Sequence, residues 1–190
     1  MKKIIAGVDE VGRGSLIGPV YAAAVIFKTN LNKKKIKDSK KLSKKKREVL
    51  EKYIKKNSYW SIGSASLKEI DELNILNASL IAMKRAIIKL NKKPSYIFID
   101  GNRVPKMKNY KLKSIIKGDQ KVPEISAASI IAKVARDRLI NKISKKYKNY
   151  AWDKNAGYGT KLHLFAIKKF GVTRHHRKTF SPIHNILSPH

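Results

Sequence analysis

The sequence has no cysteine, which excludes disulfide bonds and thiolate metal sites and fits a reducing compartment. It has no apolar run long enough to cross a bilayer, and its first residues lack the pattern of a cleavable signal peptide. It also lacks a Walker glycine loop, and no serine has the base and orienting residue that a covalent nucleophile needs. These absences leave a cytoplasmic protein as the expectation, and 190 residues suit one domain with a real core.

Acidic residues are scarce, because 13 aspartates and glutamates stand against 44 lysines and arginines, for a formal net charge of +31. Such a charge attracts polyanions and makes their binding depend on salt. Lysine supplies most of the excess and occurs in every segment, which is also typical of the solvated surface of a protein from a lysine-biased proteome. Both interpretations stay open for any given lysine. Because acids are few, an acid within an apolar run needs a specific reason.

The first such acids lie near the N-terminus. The apolar residues 4–8 end at the adjacent carboxylates Asp9 and Glu10, a Gly-Arg-Gly step follows, and Gly18-Pro19 opens a second apolar run at 20–27. This pattern predicts strand, turn and strand. A buried carboxylate needs a cation to compensate it, and a glycine pair lets backbone N–H groups approach an anion. Candidate metal ligands therefore lie beside a candidate phosphate contact.

A further carboxylate repeats this arrangement. Residues 95–99 form a short apolar strand that ends at Asp100, just before a turn. The ordinary alternative is a turn aspartate that bonds its own backbone. If the two apolar strands are parallel neighbours in one sheet, Asp9 and Asp100 emerge at the same edge.

Periodicity and capping residues predict the other elements. A capping box from Ser66 to Glu69 opens a helix, and Thr160 caps a late helix that Gly171 closes. The predicted helices begin after Ser43 and cover 66–72, 77–90, a stretch from Val122-Pro123 onward and 161–170; the predicted strands also include 58–66 and 113–117.

Three histidines are weighed as metal ligands. A packed or surface role is favoured for His163 over ligation. The tandem His175-His176 lacks histidine or cysteine partners at fitting spacing, so a structural or phosphate-facing role is expected there.

Several motifs, in order along the chain, resemble the ribonuclease HII family, the type 2 ribonucleases H. They are DEVGRG at 9–14, DSK at 38–40, IDGN at 99–102, KGD at 117–119 followed by PEISAASIIAKVARDR, a glycine-tyrosine step at 157–158 and HHR at 175–177. Gly159 departs from the proline that the family carries, which loosens the turn that holds Tyr158. Arg174 and Thr179 also depart, from the usual glutamate and the frequent serine of bacterial relatives.

The resemblance implies an α/β, RNase H-like fold with a mixed five-stranded sheet and flanking helices. Residues 1–145 would form this catalytic domain, and residues 146–190 a helical extension packed on it as one structural unit. The implied activity is endonucleolytic hydrolysis of the RNA strand of RNA–DNA hybrids and incision 5′ to ribonucleotides in duplex DNA, leaving 3′-hydroxyl and 5′-phosphate ends. Nucleic acid is the expected partner, a membrane is not, and a monomer is expected.

Candidate site residues follow from both lines of reasoning. The strand-end carboxylates Asp9, Glu10 and Asp100, with Asp119 added by the resemblance, are the predicted catalytic residues and metal ligands. Four such charges require cations, and hard oxygen ligands favour two Mn²⁺ or Mg²⁺ ions. The resemblance assigns nucleic-acid contacts to Gly12, Arg13, Gly14, Ser39, Lys40 and Tyr158, with the glycine-arginine-glycine backbone and the tyrosine reading a 2′-hydroxyl.

Other function classes explain less of the sequence. A basic nucleic-acid-binding module, such as a ribosomal component, explains the charge but not carboxylates at strand ends. An integrase or junction resolvase of related fold explains the carboxylates but not DEVGRG with a distant tyrosine. The type 3 ribonucleases H carry an extra N-terminal domain, which is not expected here because the first strand begins at Ile4.

Overall fold

One mixed sheet of five strands carries the fold, which confirms the predicted fold class. The computed structural model describes residues 3–28, 36 and 42–188. The strands are β1 (Ile5–Val11), β2 (Val20–Phe27), β3 (Ser58–Ala65), β4 (Tyr96–Asp100) and β5 (Leu112–Ile115). Their order is β3-β2-β1-β4-β5; β1, β2 and β3 pair antiparallel, whereas β4 is parallel to both β1 and β5. The first carboxylate strand therefore lies beside the strand that ends at Asp100.

Helices cover both faces of the sheet. They are α1 (Lys44–Lys56), α2 (Leu67–Ile88), α3 (Gly118–Lys121), α4 (Pro123–Ser144), α5 (Trp152–Asn155), α6 (Lys161–Phe170) and α7 (Ser181–Leu187), with a 3₁₀ turn at Lys148–Tyr150. α2 packs on one face, and α1 and α4 pack on the other. α4 approaches β1 so closely that a Cβ at Gly7 would overlap the backbone of Glu124. Among the described residues, no helix combines the length and apolar character needed to cross a membrane.

Element boundaries differ from the sequence-based predictions by one or two residues at several ends, and three of the differences are informative. β1 continues through Asp9 and Glu10 to Val11, so these carboxylates lie within the strand rather than after it. β5 ends at Ile115, two residues before the predicted end. The two predicted helices after β3 abut at Asn74, whose non-helical backbone kinks α2 and whose side chain accepts hydrogen bonds from the N–H groups of Leu76 and Asn77. Asn74 thus caps the second segment and lets it begin earlier than predicted.

The C-terminal segment packs against the edge where β1 ends. Leu16 and Ile17, from the loop after β1, share an apolar cluster with Trp152 and with residues of α6 and α7. Two isolated backbone bridges join Ser15 to Tyr158 and Ile17 to His176. These contacts place the late motifs beside the N-terminal carboxylates.

Candidate active site

Asp9 and Asp100 lie side by side on β1 and β4. The register pairs Val8 with Ile99, so the next residue on each strand is an aspartate. Adjacent strands are about 4.8 Å apart. Val8 and Ile99 belong to the cluster on the α2 face, so both aspartates point to the α4 face. The predicted emergence of both carboxylates at one edge agrees with this geometry.

Electrostatic repulsion and burial act together on Asp9 and Glu10. Burial raises the pKa of Asp9 well above its ordinary value, the charges of Glu10 and Asp100 raise it further, and a hydrogen bond from Ser129 of α4 opposes them. Burial also raises the pKa of Glu10, which Arg13 opposes from 3.3 Å. The Oε2 atom of Glu10 is buried, and no described residue hydrogen-bonds it. Such an orphaned acceptor is unusual in a folded core and calls for a bound partner.

The short helix α3 brings Asp119 next to Asp100. The N–H groups of Gly118 and Asp119 donate to Oδ1 of Asp100, at 2.6 and 3.3 Å. Lys117 turns the chain into α3 with a left-handed backbone conformation. The same backbone segment therefore fixes Asp100 and presents Asp119 beside it.

These four residues, here called the carboxylate cluster (Asp9, Glu10, Asp100 and Asp119), suit a hard divalent cation. All their side-chain donors are carboxylate oxygens, the ligands that Mg²⁺ and Mn²⁺ prefer. A cation would relieve the mutual repulsion that raises the pKa of Asp9 and would give the orphaned Glu10 oxygen a partner. In the part of the chain that the structure describes, no three carboxylates or histidines already form a compact metal-binding group. Metal binding is thus inferred from donor chemistry.

The turn after β1, here called the glycine loop (residues 12–14), rests on a buried arginine. Gly12 has a φ of +93°, which favours glycine, and a Cβ there would overlap the Arg136 side chain. Arg136 is fully buried and donates to the carbonyls of Ile17 and Ala156, each at 3.1 Å. It therefore joins the glycine loop to the turn that carries Tyr158.

Tyr158 lies against the glycine loop. A Cβ at Gly14 would be 3.7 Å from the Tyr158 ring, and the Arg136 guanidinium lies 6.0 Å from the ring centroid. The Tyr158 residue is 37% exposed. The glycine loop and Tyr158 thus share one surface beside the carboxylate cluster, although they are more than 140 positions apart in the chain. The resemblance assigns both to the same task.

A buried histidine pair holds the backbone of Tyr158. Thr173 N–H donates to Nδ1 of His176 at 2.9 Å, so the His176 proton lies on Nε2, which is 3.3 Å from Nε2 of His163. Trp152 also donates to that nitrogen of His163, at 2.8 Å. The His163 proton therefore lies on Nδ1, which donates to the Tyr158 carbonyl at 2.9 Å. Both rings are neutral in this network, which agrees with the packed and structural roles expected for them.

This network makes stability depend on pH. Burial, followed by the nearby His163, lowers the pKa of His176 to about 4. Because the unfolded histidine titrates near 6.5, the unfolded chain takes up the proton first as pH falls. We expect the contribution of His176 to be complete above about pH 6.5 and to decline by about 3 kcal/mol by pH 4. Urea unfolding at a series of pH values measures this decline.

His176→Asn is the control for that titration. The asparagine oxygen can still accept from Thr173 N–H but does not titrate, so the variant should be less stable at pH 7.5 and less sensitive to acid. The raised pKa values of Asp9 and Glu10 make the folded chain more stable as pH falls, which is opposite to the effect of His176. Both proteins contain these two acids, so their effect cancels in the comparison. Parallel stability curves for the two proteins would contradict the assignment.

Sequence reasoning did not single out two residues of α4 that organise the site. Ser129 hydrogen-bonds Asp9, and Arg136 lies beneath Gly12. Arg136 could have been found by the reasoning applied to the acids: it is a charged residue within a run of small apolar residues, so it needs a specific reason to be there. Ser39 and Lys40 lie outside the described residues, so their phosphate contacts stay a prediction.

Comparison with known proteins extends the match over nearly the whole chain. Residues 6–183 match the family model described as Ribonuclease HII. The chain is 69% identical to the ribonuclease HII of Pelagibacter ubique (strain HTCC1062), over 97% of this chain and 100% of that protein. It is 48% identical to the ribonuclease HII of Neisseria meningitidis serogroup B, over 99% of this chain and 97% of that protein.

A solved structure agrees with the sequence comparisons. The crystal structure of the ribonuclease H2 from Pyrococcus horikoshii OT3 superposes with a TM-score of 0.80 and 29% identity, covering 96% of each chain. The match therefore includes the strands of the carboxylate cluster and the C-terminal segment. The chain belongs to the ribonuclease HII family, the type 2 ribonucleases H, which are endonucleases acting on the RNA of RNA–DNA hybrids.

Proposed function

We propose that this ribonuclease H also incises duplex DNA on the 5′ side of an embedded ribonucleotide, using two divalent ions, Mn²⁺ or Mg²⁺. The observation that carries the proposal is the closeness of the carboxylate cluster to the glycine loop and Tyr158. Gly12 is three positions after Asp9 in the chain, so their Cα atoms are at most about 11 Å apart. A group that distinguishes one sugar can thus act within about one nucleotide of the ligands for the reacting phosphate.

The carboxylate cluster is the proposed metal-binding and catalytic centre. Asp9 and Asp100 would be shared ligands because they lie side by side, with Glu10 and Asp119 flanking them. When bound, two such ions activate water and stabilise the departing 3′ oxygen. The products would be a 3′-hydroxyl and a 5′-phosphate that stays on the ribonucleotide. Ser129 and the α3 amides orient the two aspartates for this task.

The glycine loop and Tyr158 are the proposed ribonucleotide-reading surface. The 2′-hydroxyl donates and accepts hydrogen bonds and is the group that distinguishes RNA from DNA. Backbone N–H groups of the loop would contact it, while the exposed Tyr158 ring would stack on the following sugar. Ser39 and Lys40 would contact phosphates, as the resemblance implies.

The chain is proposed to bind its nucleic acid as a monomer. Residues 1–145 would act as the catalytic domain, and residues 146–190 as an extension that supplies Tyr158 to the same surface. The apolar cluster shared by Ile17 and Trp152 supports treating both as one unit.

The test is cleavage of an end-labelled DNA duplex that contains one ribonucleotide. With Mg²⁺ or Mn²⁺ we expect a single cut 5′ to that ribonucleotide, no cut with a chelator, and no cut in the matched all-DNA duplex. Mapping the product ends should show a 3′-hydroxyl and a 5′-phosphate. A cut on the 3′ side, or equal cleavage with chelator present, would refute the proposal.

A further inference from the structure

Arg177, in the C-terminal segment, hydrogen-bonds the glycine loop from the interior of the protein. Its side chain is fully buried and donates to three backbone carbonyls. The Nη2 and Nη1 atoms lie 2.7 Å from the carbonyls of Gly12 and Arg13, and Nε lies 3.0 Å from that of Gly18. Two consecutive peptide groups of the loop are therefore fixed by one guanidinium.

These hydrogen bonds determine the direction in which the N–H groups of the loop point. In a trans peptide the C=O and the following N–H point in opposite directions. Because the Gly12 and Arg13 carbonyls point inward to Arg177, the N–H groups of Arg13 and Gly14 point outward, away from Arg177. No described residue accepts a hydrogen bond from either N–H. The loop thus presents two adjacent donors without an acceptor of their own.

The charge of Arg177 is unusual for a fully buried side chain. No described carboxylate lies within ion-pair distance of it, although the charge of the more distant Asp71 favours the cation and the Phe180 ring centroid lies 4.9 Å away. Burial, then the charge of Arg136, lowers the pKa of Arg177 to about 9, so the side chain remains a cation at neutral pH. A buried cation without an ion-pair partner is costly, and an apolar residue would usually pack more favourably. Its bonds to the loop carbonyls also polarise the outward amides toward an electron-rich ligand.

We infer that Arg177 is a positioning residue for ribonucleotide recognition, holding the Arg13 and Gly14 amides against the 2′-hydroxyl of the substrate without touching it. The inference rests on the proposed function and assigns its specificity to a residue outside the recognition surface.

The experiment compares the affinity of each protein for two duplexes in metal-free buffer, where no cleavage occurs. One duplex contains a single ribonucleotide and the other is all DNA. For Arg177→Lys and Arg177→Met we expect affinity for the first to fall about tenfold, to the level of the second, because the donors are no longer held in place. Affinity for all-DNA duplex, set by surface phosphate contacts, should change less than about twofold.

Lys178→Met is the matched control. It removes one positive charge from the adjacent position, where the side chain is exposed. Both affinities should fall by the same small factor, and the discrimination between the duplexes should persist. Loss of discrimination in this variant as well would overturn the role of Arg177 by showing that tail charge alone is responsible.

Amide NMR spectra provide a measurement that does not depend on binding. In Arg177→Lys the Arg13 and Gly14 resonances should shift or broaden, whereas those of α1, on the other face of the sheet, should stay in place. The inference is overturned if these resonances do not move, if both affinities fall together, or if the Arg177 variants keep the wild-type discrimination. Equal binding of both duplexes by the wild type would instead refute ribonucleotide reading in the proposed function itself, and the inference with it.

Discussion

Asp9→Asn and Asp100→Asn are each expected to lower the rate of hybrid cleavage by about a thousandfold or more. Each change removes a negatively charged ligand from the centre of the carboxylate cluster, and metal stabilisation of a phosphoryl oxygen is worth several kcal/mol, or about three powers of ten. Asp119→Asn should have a smaller effect, because Asp119 flanks one side of the pair. Initial rates on an RNA–DNA hybrid at saturating Mg²⁺ measure the losses.

The Asp9→Asn variant should also be more stable than the wild type in metal-free buffer. Because the folded-state pKa of Asp9 is raised, its ionised form destabilises the folded chain at neutral pH. This penalty declines as pH falls below that pKa and is gone below the pKa of the unfolded aspartate. The neutral amide that replaces the carboxylate removes the penalty at pH 7, a gain of about 1 kcal/mol. Asp153→Asn, at an exposed position in α5, is the matched control and should change neither activity nor stability. An Asp9→Asn variant with near-normal cleavage would refute the metal assignment.

The sequence specified the sheet well because its signals are local. Apolar runs, turn residues and the capping box at Ser66 and Glu69 each depend on neighbours within a few positions. The structure forms a strand or a helix at each place where these signals predict one. The alignment of Asp9 with Asp100 needed one additional assumption, that the two strands are parallel neighbours. The differences from prediction lie at element ends. The side chain of Asn74 caps the second segment of α2, and pairing with β2 extends β1 to Val11.

The support beneath the site could not be predicted in the same way. Arg177 and Arg136 hydrogen-bond the carbonyls of Gly12 and Ile17, each more than 100 positions away, and carbonyls carry no side-chain signature. The pairing of His163 with His176, 13 positions later, likewise requires the start of α6 to pack against the loop that follows this helix. A sequence shows that a buried cation needs partners, but the fold determines which carbonyls supply them.

Tyr158→Ala is expected to reduce incision at a single ribonucleotide by about tenfold to a hundredfold, which is the usual loss when one aromatic stacking contact is removed. Cleavage of long RNA–DNA hybrids should fall much less, because every nucleotide of the RNA strand offers a 2′-hydroxyl. Tyr158→Phe keeps the ring and should retain most of the single-ribonucleotide activity. Tyr59→Ala is the control: that tyrosine is similarly exposed, at 40% against 37%, but lies on the edge strand β3.

The expected effect of Tyr158→Ala requires that the ring be held in place. Gly159 bears on this, because the proline that the family carries at this position would stiffen the turn that holds Tyr158. In this chain hydrogen bonds hold the turn instead: the Tyr158 carbonyl accepts from Thr160 N–H at 2.8 Å and from His163 Nδ1 at 2.9 Å. The Tyr158 N–H also donates to the Asn155 carbonyl at 2.9 Å. With the backbone held on both sides, the ring stays beside Gly14 without a proline. Side-by-side rates for the wild type, both Tyr158 variants and the control on the two substrates measure the effect, and an unchanged ratio in Tyr158→Ala would show that the tyrosine is structural and that another group reads the junction.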